Sequence, residues 1–319
     1  MRKAIVFFVS ALLLFVAGSA WIALYPNVPE DLGGVENLDA HALRVRIPVG
    51  EGDHLEGWYV RGTRPATVIL FAGYARDHRR MWRYAHFLLR DGYHVLAVDF
   101  RSARVLDRKP TTLGYWELRD ARAALDWVRA RPQSRDQRVA LFGESLGGSV
   151  AMAVAAERPD VNAVVADCPF ASADASIADG FRLVLHLPPY PLAPLARQLG
   201  RLITEHDPGE FDATAALRAL NGRPVLLIQT RVEDRFSRAQ VERLTTAAGL
   251  GTETWTVDDA KHTEVWVKHR DEYEKRVGRF LAARLGGIVA PPEPGEGATK
   301  GGKPAGHAQA KPFSRRRGS

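Results

Sequence analysis

Gly143-Glu144-Ser145-Leu146-Gly147 is the stretch on which the reading of this chain turns. It follows Arg138-Val-Ala-Leu-Phe142, a short apolar run of buried-strand type. It opens Leu146 to Arg158 (LGGSVAMAVAAER), which is rich in Gly and Ala and reads as a helix. Strand, serine, helix is the order that a nucleophile on a tight turn requires. The glycines on either side answer to crowding, because side chains there would collide with the neighbouring strand or helix. Such a turn aims the Leu146 N–H and the helix N-terminus at a developing oxyanion, so the stretch points to a serine hydrolase.

A serine nucleophile needs a base, and the base needs an orienting acid. Pro224-Val-Leu-Leu-Ile228 is a second apolar strand, and the loop after it carries Glu233 and Asp234. Thr252-Glu-Thr-Trp-Thr-Val257 alternates as a strand does, and its exit loop ends at His262. Serine, acid and histidine therefore occur in that order, each just past a strand's C-terminal end, where open α/β sheets place their sites. The chain has ten histidines, and position selects His262: it precedes a terminal helix spanning Val265 to Leu285, with Trp266, Tyr273, Val277, Phe280 and Leu281 at helical spacing. His54, His78, His186, His206 and His269 read as surface or packing residues.

These residues resemble the α/β-hydrolase superfamily, more narrowly its prolyl-oligopeptidase-like and serine-aminopeptidase-like branch of esterases, thioesterases and peptidases. The resemblance covers about Leu43 to Leu285. Ile69-Leu-Phe-Ala-Gly73-Tyr74 is similar to the family's oxyanion loop, and Gly92-Tyr-His-Val-Leu-Ala-Val-Asp99-Phe-Arg101 to its GYxVLxxDxR strand. Gly114, Glu117 and Asp120 match GxxExxD; Asp207-Pro208 and Ala216 to Ile228 resemble the approach to the acid strand; Asp271 to Phe280 resembles the terminal helix. The resemblance implies a mostly parallel central sheet flanked by helices, with the Tyr74 N–H as second oxyanion donor beside that of Leu146.

The chain departs from that pattern in three places. Ala72 stands where the family usually has His, and Arg101-Ser102-Ala103-Arg104 stands for RGxG. The acid strand ends in Gln229-Thr230 rather than HGxxD. Counting from Gln229 lands on Glu233, while Asp234 is the commoner residue type and needs a loop one residue longer. Asp234 is the preferred acid and Glu233 the alternative. Adjacent side chains usually point apart, so one of them should meet the imidazole. Asp167, ending the strand Ala163-Val-Val-Ala166, is a third, weaker candidate.

The single cysteine, Cys168, excludes an intramolecular disulfide and a Cys metal cluster, and reads as a small buried apolar residue. With no HExxH, no CxxC pair and no GxGxxG after a strand, neither metal nor cofactor is expected.

The strand–helix alternation is continuous enough for one hydrolase domain, 35–286. It breaks over 171–213, around Leu187-Pro-Pro-Tyr-Pro-Leu-Ala-Pro194, as for a helical cap, with Phe181, Leu183, Leu185 and Leu187 expected on its acyl-side wall. Residues 1–26 form a separate device. Ala4 to Tyr25 has no charged residue over 22 positions; as a helix it is about 33 Å long, enough for a hydrocarbon core of about 30 Å. Arg2 and Lys3 before it and Glu30 and Asp31 after it favour an anchor with the hydrolase domain outside the cytoplasm. A cleaved signal, cut near Gly18-Ser19-Ala20, is the rival.

Of the net charge of +7, +4 lies in 287–319, a Pro- and Gly-rich segment with Arg315-Arg-Arg317 that is expected to be disordered. The domain itself is mildly basic and has no aromatic–basic platform, so nucleic acid is not an expected partner. The expected partners are an acyl or peptide substrate and, through the first helix, a membrane. A fold-retaining binding protein, or a tethered interaction protein, is the alternative to an enzyme.

Overall fold

The computed structural model describes residues 2–29, 38–50, 52–104, 109–132, 134–220 and 222–286. The expectations for Glu30, Asp31 and the segment 287–319 lie outside the described residues. Eight strands form one sheet among the described residues: β1 (Leu43–Gly50), β2 (Asp53–Val60), β3 (Ala66–Phe71), β4 (His94–Asp99), β5 (Arg138–Glu144), β6 (Ala163–Asp167), β7 (Val225–Thr230) and β8 (Thr252–Val257). The order across the sheet is β1-β2-β4-β3-β5-β6-β7-β8. The β1–β2 and β2–β4 pairs are antiparallel, and every pair from β4 to β8 is parallel.

The helices are α1 (Arg2–Leu24), α2 (His78–Arg90), α3 (Tyr115–Ala130), α4 (Leu146–Glu157), α5 (Ala173–Asp179), α6 (Pro189–Thr204), α7 (Ala213–Ala219), α8 (Arg238–Ala247), α9 (Val265–Lys268) and α10 (Arg270–Leu285). A single wide turn, Gly180–Val184, joins α5 toward α6. This is the mixed, mostly parallel sheet flanked by helices that the sequence implies.

Parallel strands need covering on both faces, which is why β3 to β7 read as unbroken apolar runs. Ile69, Phe71, Val139 and Leu141 face a core completed by α3, α4, α7 and α8. Val68, Leu70, Ala140 and Phe142 face the opposite core, completed by α2, α9 and α10. The strand sequence reverses direction across the sheet at β3, between β4 and β5. The loops leaving β3 and β5 consequently part to opposite faces at their carboxyl ends, where open α/β sheets place their sites.

One boundary differs from the sequence reading. The expected single helix from Val265 to Leu285 is two helices, broken at His269 (φ −128°, ψ 43°), whose Nε2 lies 2.6 Å from Asp259 Oδ1. The irregular stretch after β6 is a helical cap built from α5, the wide turn and α6. It leaves and rejoins the domain at a bridge between Ser172 and Asp212. Its base is tied down by the buried Asp179, which accepts from Ser237 N (2.6 Å) and Gln240 Nε2 (2.7 Å). The expected acyl wall is only partly there. Phe181 and Leu187 turn into a small core that also holds Val16 of α1, and Leu185 is exposed.

Candidate active site

Ser145 directly follows β5 with φ 53° and ψ −118°, a left-handed backbone that a residue other than glycine adopts at a cost of about 1–3 kcal/mol. The neighbouring glycines explain how this is tolerated. A Cβ on Gly143 would lie 2.0 Å from the Gly147 carbonyl carbon, and one on Gly147 would lie 2.1 Å from the Phe71 carbonyl oxygen. The helix can thus press directly on β3 and β5. The Ser145 N–H donates to the Asp167 carbonyl at 2.7 Å, which pins the turn to the end of β6.

Beside the turn runs the loop after β3. A Cβ on Gly73 would stand 3.2 Å from Ser145 Cβ and 3.3 Å from the Glu144 carbonyl oxygen, so a side chain there would crowd the serine turn. The chain reverses at once, with Arg76 N donating to Gly73 O and Ala75 at φ 58°. The loop is held from below by Asp99, whose carboxylate accepts from His78 N at 2.6 Å and contacts His78 Nδ1 at 3.0 Å. His78, read from sequence as a surface or packing residue, is buried and packs; its ring also stacks on Trp58 at 3.3 Å between centroids. The Tyr74 N–H follows Gly73 directly, and Leu146 is the first residue of α4, so its N–H has no partner carbonyl within the helix.

His262, five residues past β8, places Nε2 3.0 Å from Ser145 Oγ. Its Nδ1 lies 3.0 Å from Glu233 Oε2. Phe236 meets the imidazole edge-on at 4.9 Å between centroids. The carboxylate facing the imidazole is thus Glu233, not the preferred Asp234. The Glu233 side chain is 5% exposed, whereas Asp234 accepts only a 3.4 Å bond from His262 N and turns toward Lys261. The loop fixes the difference: Arg235 N donates to Glu233 Oε1 at 2.8 Å, a local turn that folds Glu233 inward. Asp167 is placed elsewhere, buried between the hydroxyls of Tyr84 (3.0 Å) and Tyr273 (2.8 Å). Burial, together with the charge of Glu144, pushes its carboxyl up from the ordinary value.

One layer below lies a set of charges that the sequence reading did not anticipate. Glu144, fully buried, pairs with Arg83 and lies 3.2 Å from Arg80 Nε, both on α2. Burial works to raise its carboxyl, but the two guanidinium groups and the Tyr84 hydroxyl overcome this and hold it down at about 2. The same arginines reach the histidine loop. Arg80 Nη2 donates to Thr263 Oγ1 at 3.2 Å and Arg83 Nη2 to the Thr263 carbonyl at 3.3 Å. Thr263 itself sits at φ 58°, a strained setting for a β-branched residue. A charged residue between the glycine and the serine of the turn was the available signal.

Cys168, Glu233 and His262 bring ligand-type atoms within 4.8 Å of one another. In that trio burial holds the Cys168 thiol well above its usual range. The other two members are already bonded to each other.

Residues 56–270 match the model of the X-Pro dipeptidyl-peptidases of the S15 family, two thirds of the chain. The chain belongs to that family. This S15-family chain is 27% identical to the uncharacterized protein YqkD of Bacillus subtilis over 238 residues, which is 74% of this chain and 77% of YqkD. It is 33% identical to the uncharacterized protein Rv2307c of Mycobacterium tuberculosis over 208 residues, 64% of this chain and 66% of the relative. Among solved structures it is similar to the Pyrococcus furiosus esterase Pf2001, with TM-score 0.65 and 26% identity, covering 82% of this chain and 98% of the esterase. Its fold is also that of the Pyrococcus horikoshii acylaminoacyl peptidase, at TM-score 0.54 and 16% identity, covering 78% of this chain and 42% of the peptidase. The S15-family chain is a hydrolase of the α/β-hydrolase fold, in the serine class.

Proposed function

We propose that Ser145, His262 and Glu233 act as a catalytic triad that cleaves a carboxylic ester through an acyl-enzyme. The observation that carries this reading is the relay of two 3.0 Å contacts, Ser145 Oγ to His262 Nε2 and His262 Nδ1 to Glu233 Oε2, with the serine on a strained turn. For Nε2 to accept the serine proton, Nδ1 must carry its own and donate it to Glu233. Oγ attacks the carbonyl carbon, its proton passes to Nε2, and the N–H groups of Tyr74 and Leu146 receive the oxyanion. The tetrahedral centre collapses, Nε2 returns the proton to the departing alkoxide, and an alcohol leaves. Water then repeats the sequence on the acyl-serine, releasing the carboxylic acid and restoring Ser145.

The preference for an ester rests on the similarity to the Pf2001 esterase and on the apolar surroundings of the imidazole, where Phe236 packs against Phe170 and His262. Thioester and peptide bonds are the other outcomes of the test. Purified full-length chain in detergent is offered p-nitrophenyl esters, acyl thioesters and X-Pro p-nitroanilides. Ester turnover exceeding the other two supports the reading; preference for the anilide would replace it with a peptidase. We also propose that 1–26 is a retained anchor, 35–286 the hydrolase domain with 171–213 as its cap, and 287–319 a tail.

A further inference from the structure

α1 is long and apolar enough to cross a membrane by length and composition, and its outer surface exposes Ile5, Val6, Phe7, Phe8, Leu14 and Ile22. It does not stand apart from the enzyme. Val16, Ala20 and Leu24, spaced by four, are buried. Val16 is fully enclosed in a small core with Phe181, Leu192 and Ala193 of the cap. The last turn of α1 reaches the site: the Ala23 carbonyl accepts from the Tyr74 hydroxyl at 2.8 Å, and the Leu24 carbonyl accepts from Thr111 N at 2.8 Å. Tyr74 is the residue after the glycine that abuts Ser145.

Length makes this packing consequential. At about 1.5 Å per residue the 23 residues of α1 span about 34 Å, barely more than a hydrocarbon core of about 30 Å. Trp21 and Tyr25, whose rings meet tilted at 4.5 Å between centroids, suit the interface level. Val16 then lies about 8 Å below Trp21, within the acyl chains. If the cap kept Val16 in water, residues 4–15 would have to cross alone, and as a helix they reach only about 18 Å. A spanning α1 therefore carries its cap contacts down with it.

The cap is composed for that position. Val184, Leu185, Tyr190, Leu202 and Ile203 are exposed, Leu202 at 76% and Tyr190 at 79%. Of the three arginines between Gly180 and Thr204, Arg182 and Arg197 pair with the flanking Asp179, Asp174 and Asp207, so the segment's case for the bilayer rests on its exposed apolar side chains.

We propose that α1 and the cap segment 180–204 form one surface embedded in the bilayer, and that the acyl compound cleaved at Ser145 is a membrane-dissolved amphiphile entering from that side. The substrate half rests on the ester-hydrolase reading; the surface half does not.

The test uses the full chain in vesicles of phosphatidylcholine and phosphatidylglycerol, some carrying nitroxide-labelled acyl chains. Single cysteines at Leu14, Leu185, Leu202 and Leu250 are coupled to an environment-sensitive fluorophore; Cys168 is buried and stays unlabelled. Leu250, 88% exposed, lies just before β8, at the end of the sheet away from Ser145. Quenching at Leu185 and Leu202 comparable to that at Leu14, with none at Leu250, is the expected result. Quenching at Leu14 alone, or at none of the four, overturns the embedded surface and leaves the hydrolase reading untouched.

In the second arm, Leu202→Asp/Ile203→Asp should lower turnover of a long-chain ester dissolved in the vesicles by about tenfold or more, while a soluble short ester is cleaved at the wild-type rate. An equal fall on both substrates, or no fall on either, removes the substrate half. Wild type that cleaves neither ester, with the quenching pattern as expected, removes the hydrolase reading instead, and the substrate half with it.

Discussion

Arg83 of α2 and Glu144, the residue before Ser145, form a buried ion pair whose guanidinium also donates to the Thr263 carbonyl, one residue past His262. One side chain thus joins the serine turn to the histidine loop. Removing it leaves the buried carboxylate with Arg80 as its remaining guanidinium partner, and breaking a buried pair costs up to about 3–5 kcal/mol. Arg83→Met is expected to lower stability by that order in urea unfolding followed by fluorescence. Wild-type stability in that variant would show the pair to be dispensable.

Glu144 also sets an acid limit. Its carboxyl is held at about 2 against an ordinary 4.5, so the folded state binds this proton less readily than the unfolded chain does. The resulting stabilisation is fully present above pH 4.5 and is lost as pH falls toward 2. The gap corresponds to about 3 kcal/mol. Between pH 4.5 and 2, wild type should lose about that much more stability than Arg83→Met/Glu144→Leu, in which the pair is absent. Parallel losses in the two proteins would assign the acid sensitivity to other carboxylates.

Backbone contact at the serine turn gives a contrast between two glycines. At Gly147 a Cβ would overlap the Phe71 carbonyl oxygen, whereas at Gly180 nothing lies within 4 Å. Gly147→Ala should therefore separate α4 from β3, with loss of ester turnover and a marked fall in thermal stability. Gly180→Ala should be neutral or stabilising by up to about 1 kcal/mol. Scanning calorimetry and turnover on the same preparations decide both.

Tyr74 separates backbone from side chain. The proposed oxyanion donor is its N–H, and its hydroxyl bonds the Ala23 carbonyl instead. Tyr74→Phe keeps the first and loses the second, a neutral hydrogen bond with a net value of about 1 kcal/mol. Short-ester kcat should stay within about threefold of wild type, with the change falling on stability. A collapse of kcat would mean that the phenol itself serves the reaction.

The legible and illegible parts of this chain divide along physical lines. Ser145 and His262 could be placed because each follows a strand whose pattern, apolar in β5 and alternating in β8, is local. The acid could not, since Glu233 and Asp234 are neighbours on an irregular loop. The choice between them is made by the path of that loop, through the Arg235 N bond to Glu233. Asp167 looked eligible by position, but the buried hydroxyls of Tyr84 and Tyr273 claim it. The Arg83–Glu144 pair joins residues 61 apart, and no local pattern announces such a pairing. The cap was visible as a break in alternation. The direction of its leucines was not, because Phe181 packs on Val16, a residue far back along the chain.

Glu233 is the most exposed point of the account. Ester turnover and fluorophosphonate labelling of wild type, Ser145→Ala, His262→Ala, Glu233→Gln and Asp234→Asn test it in one experiment. Wild type should label and turn over, and the serine and histidine variants should do neither. Glu233→Gln should lose at least about 100-fold in kcat, as an orienting acid does, with Asp234→Asn close to wild type. Full activity in Glu233→Gln with loss in Asp234→Asn would contradict the triad drawn from the 3.0 Å contact between Glu233 and His262.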